Sequence, residues 1–355
     1  MSKKTVNHKE LCSVLKVLCL LAGLVALVPS GFVSASWALD VWDGSVAEGY
    51  EGGDGSSDGP YLIKTGGQLS RLAREVSAGT DYTGKHFRLV DDIDLAERNW
   101  TPVGYRENDP SLPFCAAFDG GGHRISRMRI SGNIKDAGLF AYTKAGFSVK
   151  NLNLEEISID ISCSYYASSA AGGVVGYNDR GTVADCTSKG SIAAASSSYS
   201  FAGGLVGYNN NGTVTGCSFY GSVATSSSYY PSFFASAGGI AGGNSGRLSG
   251  CKSGGSVFAT SSSFGSTARA GGVVGSNNGT VTDCSAAGGV RATFTGNKGS
   301  VYVGGVIGMS DYRDAVISEN KFSAAGTGQK WGIGLDGRLS PTGPSNNGTV
   351  EGDID

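Results

Sequence analysis

Charge is scarce in this chain: Asp, Glu, Lys and Arg make up 16% of its 355 residues, where about 25% is usual. Lys and Arg nowhere cluster, and 28 basic against 30 acidic residues leave a net charge of −2. This excludes a nucleic-acid binder, which concentrates positive charge on one face. Histidine is nearly absent too. Of three, only His86 and His123 lie beyond the first 38 residues, and no His-Glu-x-x-His pair is present to hold a catalytic zinc. After residue 38 there is no apolar run long enough for a membrane helix. Glycine, by contrast, fills 58 positions, roughly 16% where about 7% is ordinary. That much Gly is too costly for helix interiors. With 40% hydrophobic residues the chain is not disordered either, so a β-rich, turn-rich fold remains.

The first 38 residues read as a secretory signal peptide. Lys3, Lys4, Lys9 and Lys16 precede the apolar run Val17 to Val28, and small residues follow through Ala35 and Ala38. That run is too short to span a bilayer. Cleavage after Ala38 leaves 24 basic and 29 acidic residues and six cysteines. The expectation is a chain secreted or held at the cell surface, with no transmembrane segment after cleavage.

An internal repeat dominates the remainder. Gly-Gly pairs begin at Gly172, Gly203, Gly238, Gly271 and Gly304, in steps of 31, 35, 33 and 33 residues. Each unit then carries Gly-Thr-Val-x-x-Cys or a variant, from Gly181 to Cys186, Gly212 to Cys217, Gly246 to Cys251 and Gly279 to Cys284. Six residues after each Cys comes Ile192, Val223, Val257 or Val290. Fixed offsets return the same side chains to the same face. Short alternating segments bounded by Gly and Asn read as strands. The pattern predicts an all-β, right-handed parallel β-helix, with about three short strands per rung of 31–35 residues. A propeller blade needs about 40 to 50 residues, which the unit lacks. Upstream, Leu69, Leu72, Ala73 and Val76 share one face of a helix expected over Gln68 to Ser77, part of an N-terminal cap for the solenoid. The expected layout is a signal peptide at 1–38, a capping segment with the first rungs at 39–130, repeats at 131–325 and a Gly/Pro-rich tail at 326–355.

The units GGLVGYNNNGTVTGCSFYGSV and GGVVGSNNGTVTDCSAAGGV resemble the GLUG repeat of bacterial exported and surface proteins, including adhesin-like chains and chains associated with IgA proteases. The stretches PYLIKTGGQLSRLA, HFRLVDDIDL, WTPVGY and FDGGGHRISRMRI are similar to the segment that usually precedes such repeats. The resemblance covers roughly residues 40–326 and is specific for architecture, while such repeats accompany several functions. It implies a non-catalytic role in adhesion or ligand binding, with glycans or matrix proteins of a host or neighbouring cell as partners.

Chemistry-bearing residues are few. Cys186, Cys217, Cys251 and Cys284 occupy a slot that upstream units fill with Met128 and Leu152, which predicts a ladder of inward, reduced thiols. In-register stacking at about 4.8 Å with parallel Cβ vectors is poor geometry for disulfides, and collinear ligands do not suit zinc. No metal or cofactor is expected. Asp54, Ser56, Asp58 and Gly59 mimic a calcium loop, but its twelfth position is Thr65 in place of Glu. Asp92 and Asp94 alternate with Ile93 and Leu95, so they share an outward face. They are the candidates for an alternative reading as a carbohydrate-active hydrolase or lyase. Gly332 to Gly337 spells G-x-G-x-x-G without the strand and helix that a nucleotide site needs. The loops ahead of the Gly-Gly pairs open with Ser-Ser-Ser and carry Tyr199 and Phe201, then Tyr229, Tyr230, Phe233 and Phe234, then Phe264. Loops of varying length gather on one face of a solenoid, often the binding face, and these rings are expected to line up along its axis.

Overall fold

The fold was obtained as a computed structural model, which describes residues 40–105, 113–163, 168–228, 233–296, 298–310, 317–318, 320–323 and 346–350. The signal segment 1–38, Tyr229, Tyr230 and the Gly332 motif lie outside the described residues.

Consecutive units coil into a parallel β-solenoid. One coil runs through Val206–Asn210, Thr213–Thr215, Ser218–Ser227 and Phe234–Gly238, and each of these strands pairs in parallel with its counterparts in the coils before and after. Four sheets result: sheet I with twelve strands, sheet II with nine, and sheets III and IV with six each. The segment around Gly203, read from sequence as one strand, is divided at Gly204 and Leu205. Its halves, Ser200–Gly203 and Val206–Asn210, enter sheets III and IV. Register is exact across units: Ile192 pairs with Val223, Val223 with Val257 and Val257 with Val290. Only Asn346–Val350 breaks the parallel rule among the described strands, running antiparallel along Val290–Phe294.

Side chains that recur at one offset stack into columns inside the coil. Val183, Val214, Leu248 and Val281 form one column and Cys186, Cys217, Cys251 and Cys284 another, all buried in a single hydrophobic core. Before each Cys the chain turns through a left-handed residue: Asp185, Gly216, Gly250 and Asp283 all have φ between 50° and 64°. Four residues beyond each Cys, Gly190, Gly221 and Gly255 form a column of positive-φ glycines in sheet I, and Gly288, also of positive φ, stacks on Gly255.

At the N-terminal end, helix α1 (Gly66–Ser77) adds Leu69, Leu72, Ala73 and Val76 to the core beside Trp42, Ile63, Leu89 and Ile93. It starts two residues earlier than the apolar spacing indicated. Thr65 caps it, accepting from Gln68 N, while the Gln68 side chain accepts from Thr65 N, a reciprocal box that satisfies two otherwise orphaned donors.

The upstream alignment of the Cys slot needs one correction. Leu152 does occupy it, since Asn153 pairs with Thr187 and Leu152 therefore lies level with Cys186. Met128 does not. Arg129 pairs with Ser158, which sets Met128 beside Ile157, half a strand away. Left-handed residues at Arg127 and Glu156, with a register shift between Leu154 and Ile157, add the irregularity that a count of three from Ile125 overlooks.

Candidate ligand-binding face

Aromatic side chains outside the core gather on sheets III and IV and the loops that lead into them, while Tyr220 and Phe258 stand exposed on sheet I. In sheet IV, Tyr142, Tyr177 and Tyr208 are in register, and their rings stack with centroids 5.2 and 5.3 Å apart. The repeated Gly-Tyr-Asn at Gly176 and Gly207 marks this stack in the sequence, a signal that reading the loops alone missed. Burial and the adjoining phenols push Tyr177 up to about 12, and Tyr142 also rises with burial, so both stay neutral. The faces of the middle ring are covered by its neighbours.

The loop aromatics do not form the expected single line. Tyr199 packs against Phe233 and Phe234 at 4.7 Å each, and Phe201 meets Tyr208 at 4.8 Å and Phe234 at 5.5 Å. They make one cluster, because the turn at Gly203 and Gly204 brings Phe201 back onto Tyr208. The Arg269 guanidinium lies 3.8 Å from the Phe234 centroid and donates to Ser276 Oγ at 3.1 Å, fixing a cation on the cluster. Phe264 stands apart. It is 57% exposed, with Lys298 Nζ 5.9 Å from its ring centre.

Just inside the corner between sheets IV and II runs a column that turn chemistry concealed. Asn178, Asn209, Asn244 and Asn277 are all buried, and each Nδ2 donates to the Oδ1 of the next at 2.8 Å. The same Nδ2 groups donate to the carbonyls of Gly181, Gly212, Gly246 and Gly279. Thr143 Oγ1 closes one end by donating to Asn178 Oδ1 at 2.9 Å. Read alone, these asparagines are turn residues; stacked, they are a polar ladder with its donors satisfied.

The thiol column is equally closed. Cys217 Sγ donates to Thr215 O at 3.2 Å and Cys251 Sγ to Ser249 O at 3.4 Å. The neighbouring Cys217 thiol, together with burial, pushes Cys251 up to about 12, and Cys217 and Cys284 also rise. Such thiols are poor nucleophiles. All six cysteines in the described residues are free. Cys217→Ser is expected to destabilise the protein by about 1 to 3 kcal/mol, and Cys217→Val by less, in chemical melts. Titration of the unfolded 39–355 chain without reductant should count six thiols; two or fewer would reject a reduced ladder.

Asp92 and Asp94 are held by cations of the next coil. Asp94 is buried and chelated by Arg127, and its Oδ1 also accepts from Ala96 N at 2.8 Å. Burial alone would raise its pKa, but these donors outweigh it and hold the carboxyl below its usual range. Asp92 accepts from Arg124 N at 2.9 Å and faces the Arg124 guanidinium at 3.3 Å and His123 Nδ1 at 3.4 Å. Asp94 therefore does not share an outward face with Asp92, as its alternation with Ile93 and Leu95 suggested: Asp94 is turned in against Arg127, and Asp92 alone stays partly exposed. In the Asp54 loop, Asp54 Oδ1 accepts from Ser56 N and Ser56 Oγ from Gly59 N, the bonds of a tight turn. No group of three or more metal-ligating side chains occurs among the described residues. None of their helices is long and apolar enough to cross a membrane.

Fold and columns together define a parallel β-solenoid of short Gly-rich repeats. The model of the GLUG motif family matches residues 167–193, the unit holding Gly172 and Cys186. It is 34% identical over 111 residues to halomucin of Haloquadratum walsbyi, covering 30% of this chain and 1% of that protein. It is 32% identical over 114 residues to a protein of Evansella cellulosilytica described as a Gly-rich membrane protein, covering 30% of this chain and 12% of the other. The chain thus spans a small part of these curated relatives. Among solved structures, a Bacteroides ovatus protein described as an immunoglobulin A1 protease superposes with a TM-score of 0.54 at 19% identity, over 76% of this chain and 77% of that one. At that identity the likeness concerns the fold.

Proposed function

We propose that this chain is a non-catalytic surface or secreted repeat protein that acts in adhesion, binding glycans or matrix proteins of a host or neighbouring cell. The observation that carries this reading is the half-buried cluster of Tyr199, Phe201, Phe233 and Phe234 with Arg269 stacked on it. Tyr and Arg bring large contact area at low entropic cost, which is what contact surfaces select. The names of the relatives, halomucin and a Gly-rich membrane protein, support a place at the cell surface. The ion pairs at Asp92 and Asp94 support the non-catalytic reading over the hydrolase alternative.

The test is an array of glycans and matrix proteins probed with the 39–355 chain. Binding without turnover is expected. Tyr199→Ser should remove it while the melting temperature moves by no more than about 3 °C, since the ring is only half-buried. Time-dependent product formation from any arrayed polymer would overturn the proposal.

A further inference from the structure

From residue 245 onward the sequence is close to charge balance, with nine basic against eight acidic residues, so an anion site there depends on the local placement of its cations. In the last coils a surface cleft of about 540 Å³ opens between Lys252, Asp283, Ser285, Asn320 and Lys321. Lys252 pairs in register with Ser285 and Ser285 with Lys321, so the two lysines project from strands two steps apart, about 9.6 Å. Earlier coils place Arg124, Asn153, Thr187 and Ser218 in that column; Arg124 is taken up by Asp92 and Glu155, and the two lysines belong to this end.

Neither ammonium group forms an ion pair among the described residues, and the Ser285 hydroxyl has no hydrogen-bond partner there. The Asn320 side chain is committed, its Oδ1 accepting from Cys284 N at 2.8 Å and its Nδ2 donating to Val281 O at 2.9 Å, which makes it a fixed wall. The backbone N–H groups of Lys252, Ser285 and Lys321 donate to Cys217, Cys251 and Cys284 carbonyls. An extended peptide would find no main-chain donor here to add itself as a strand. What the cleft offers is two separated cations and a hydroxyl along the axis.

We propose that this cleft binds an anionic polysaccharide, its carboxylate or sulfate groups meeting Lys252 and Lys321 and its hydroxyls meeting Ser285. The inference rests on the adhesive reading above and gives it a ligand class and a place. Asp283 opposes the bound anion and limits affinity, so its neutralisation strengthens binding. Held by charge, the complex weakens with salt.

The experiment measures binding of the 39–355 chain to polygalacturonate, dextran sulfate, neutral dextran and polyglutamate by calorimetry at low and high salt. At least one anionic polysaccharide binds and neutral dextran does not; preference for the uronate or the sulfate polymer identifies the anion. Lys252→Gln and Lys321→Gln each weaken binding about fivefold, and Asp283→Asn tightens it severalfold, with melting curves confirming that all three are folded. Failure of both anionic polysaccharides, binding that ignores both lysines, or polyglutamate binding as tightly would overturn the assignment. Should the Lys252→Gln, Lys321→Gln double variant still bind array ligands, this site falls and the adhesive function stands.

Discussion

Replacing Gly221 by Ala is expected to lower the melting temperature by about 10 °C or more. Gly221 has φ +149°, a region open in practice to glycine alone, and a Cβ there would lie 1.9 Å from the Gly190 carbonyl oxygen of the preceding coil. Two costs coincide. The dihedral strain is worth about 1 to 3 kcal/mol, and relief of the clash requires two coils to separate, which stretches the hydrogen bonds of sheet I on both sides. The obstructing atom is backbone, so no rotamer change provides an escape. Ser222→Ala, one residue on at an exposed position, is the control and should stay within about 0.5 kcal/mol. Thermal melts followed by circular dichroism decide it, and a Gly221→Ala protein that melts with the parent would show that the coils are not in the stated register.

The second large effect is expected at the asparagine ladder. Asn209 donates to Gly212 O at 3.0 Å and Asn244 Oδ1 at 2.8 Å and accepts from Asn178 Nδ2 at 2.8 Å, with no solvent exposure. Asn209→Ala removes all three and strands partners that water cannot reach, at about 2 to 4 kcal/mol. Asn209→Asp is the sharper probe. Its carboxylate still accepts from Asn178, but it turns an acceptor toward two acceptors, so the charged form is disfavoured and the folded-state pKa lies above that of the unfolded chain. A carboxyl raised in this way leaves the fold at full strength below the unfolded pKa, near about 4, and destabilises it as pH climbs. The variant should therefore be less stable at pH 7 than at pH 4 relative to the parent, as read from denaturant midpoints. Equal penalties at both values would mean that water enters the ladder.

These two columns show where the sequence is transparent and where it is opaque. Wherever units keep one length from Gly-Gly to Cys, a count of residues locates a side chain on its face, and the burial of Cys217 beside Val223 follows from spacing. The count fails at Met128 because left-handed Arg127 lengthens the local path without leaving a compositional mark, Arg being an unexpected residue there. The asparagines were visible as letters but ambiguous in role. A single Asn before Gly is a turn former, and only the stacking of coils converts its amide into a link between neighbours. For the aromatic loops the limit was different: sequence order sets Tyr199 and Phe201 on one rung and Phe234 on the next, yet the backbone's reversal at Gly203 decides that they face one another.

The columns are uniform between Thr143 and the last Asn, and beyond it Ser310 donates to the Asn277 carbonyl at 3.1 Å. A coil inserted between these termini would meet the same Asn and Cys side chains above and below, so gene segments of about one repeat can be gained or lost while both columns stay continuous. Each such event would extend or shorten the molecule by about 4.8 Å. The length of the solenoid becomes a matter of copy number, an inherited dial that selection can turn one notch at a time while the cross-section stays unchanged.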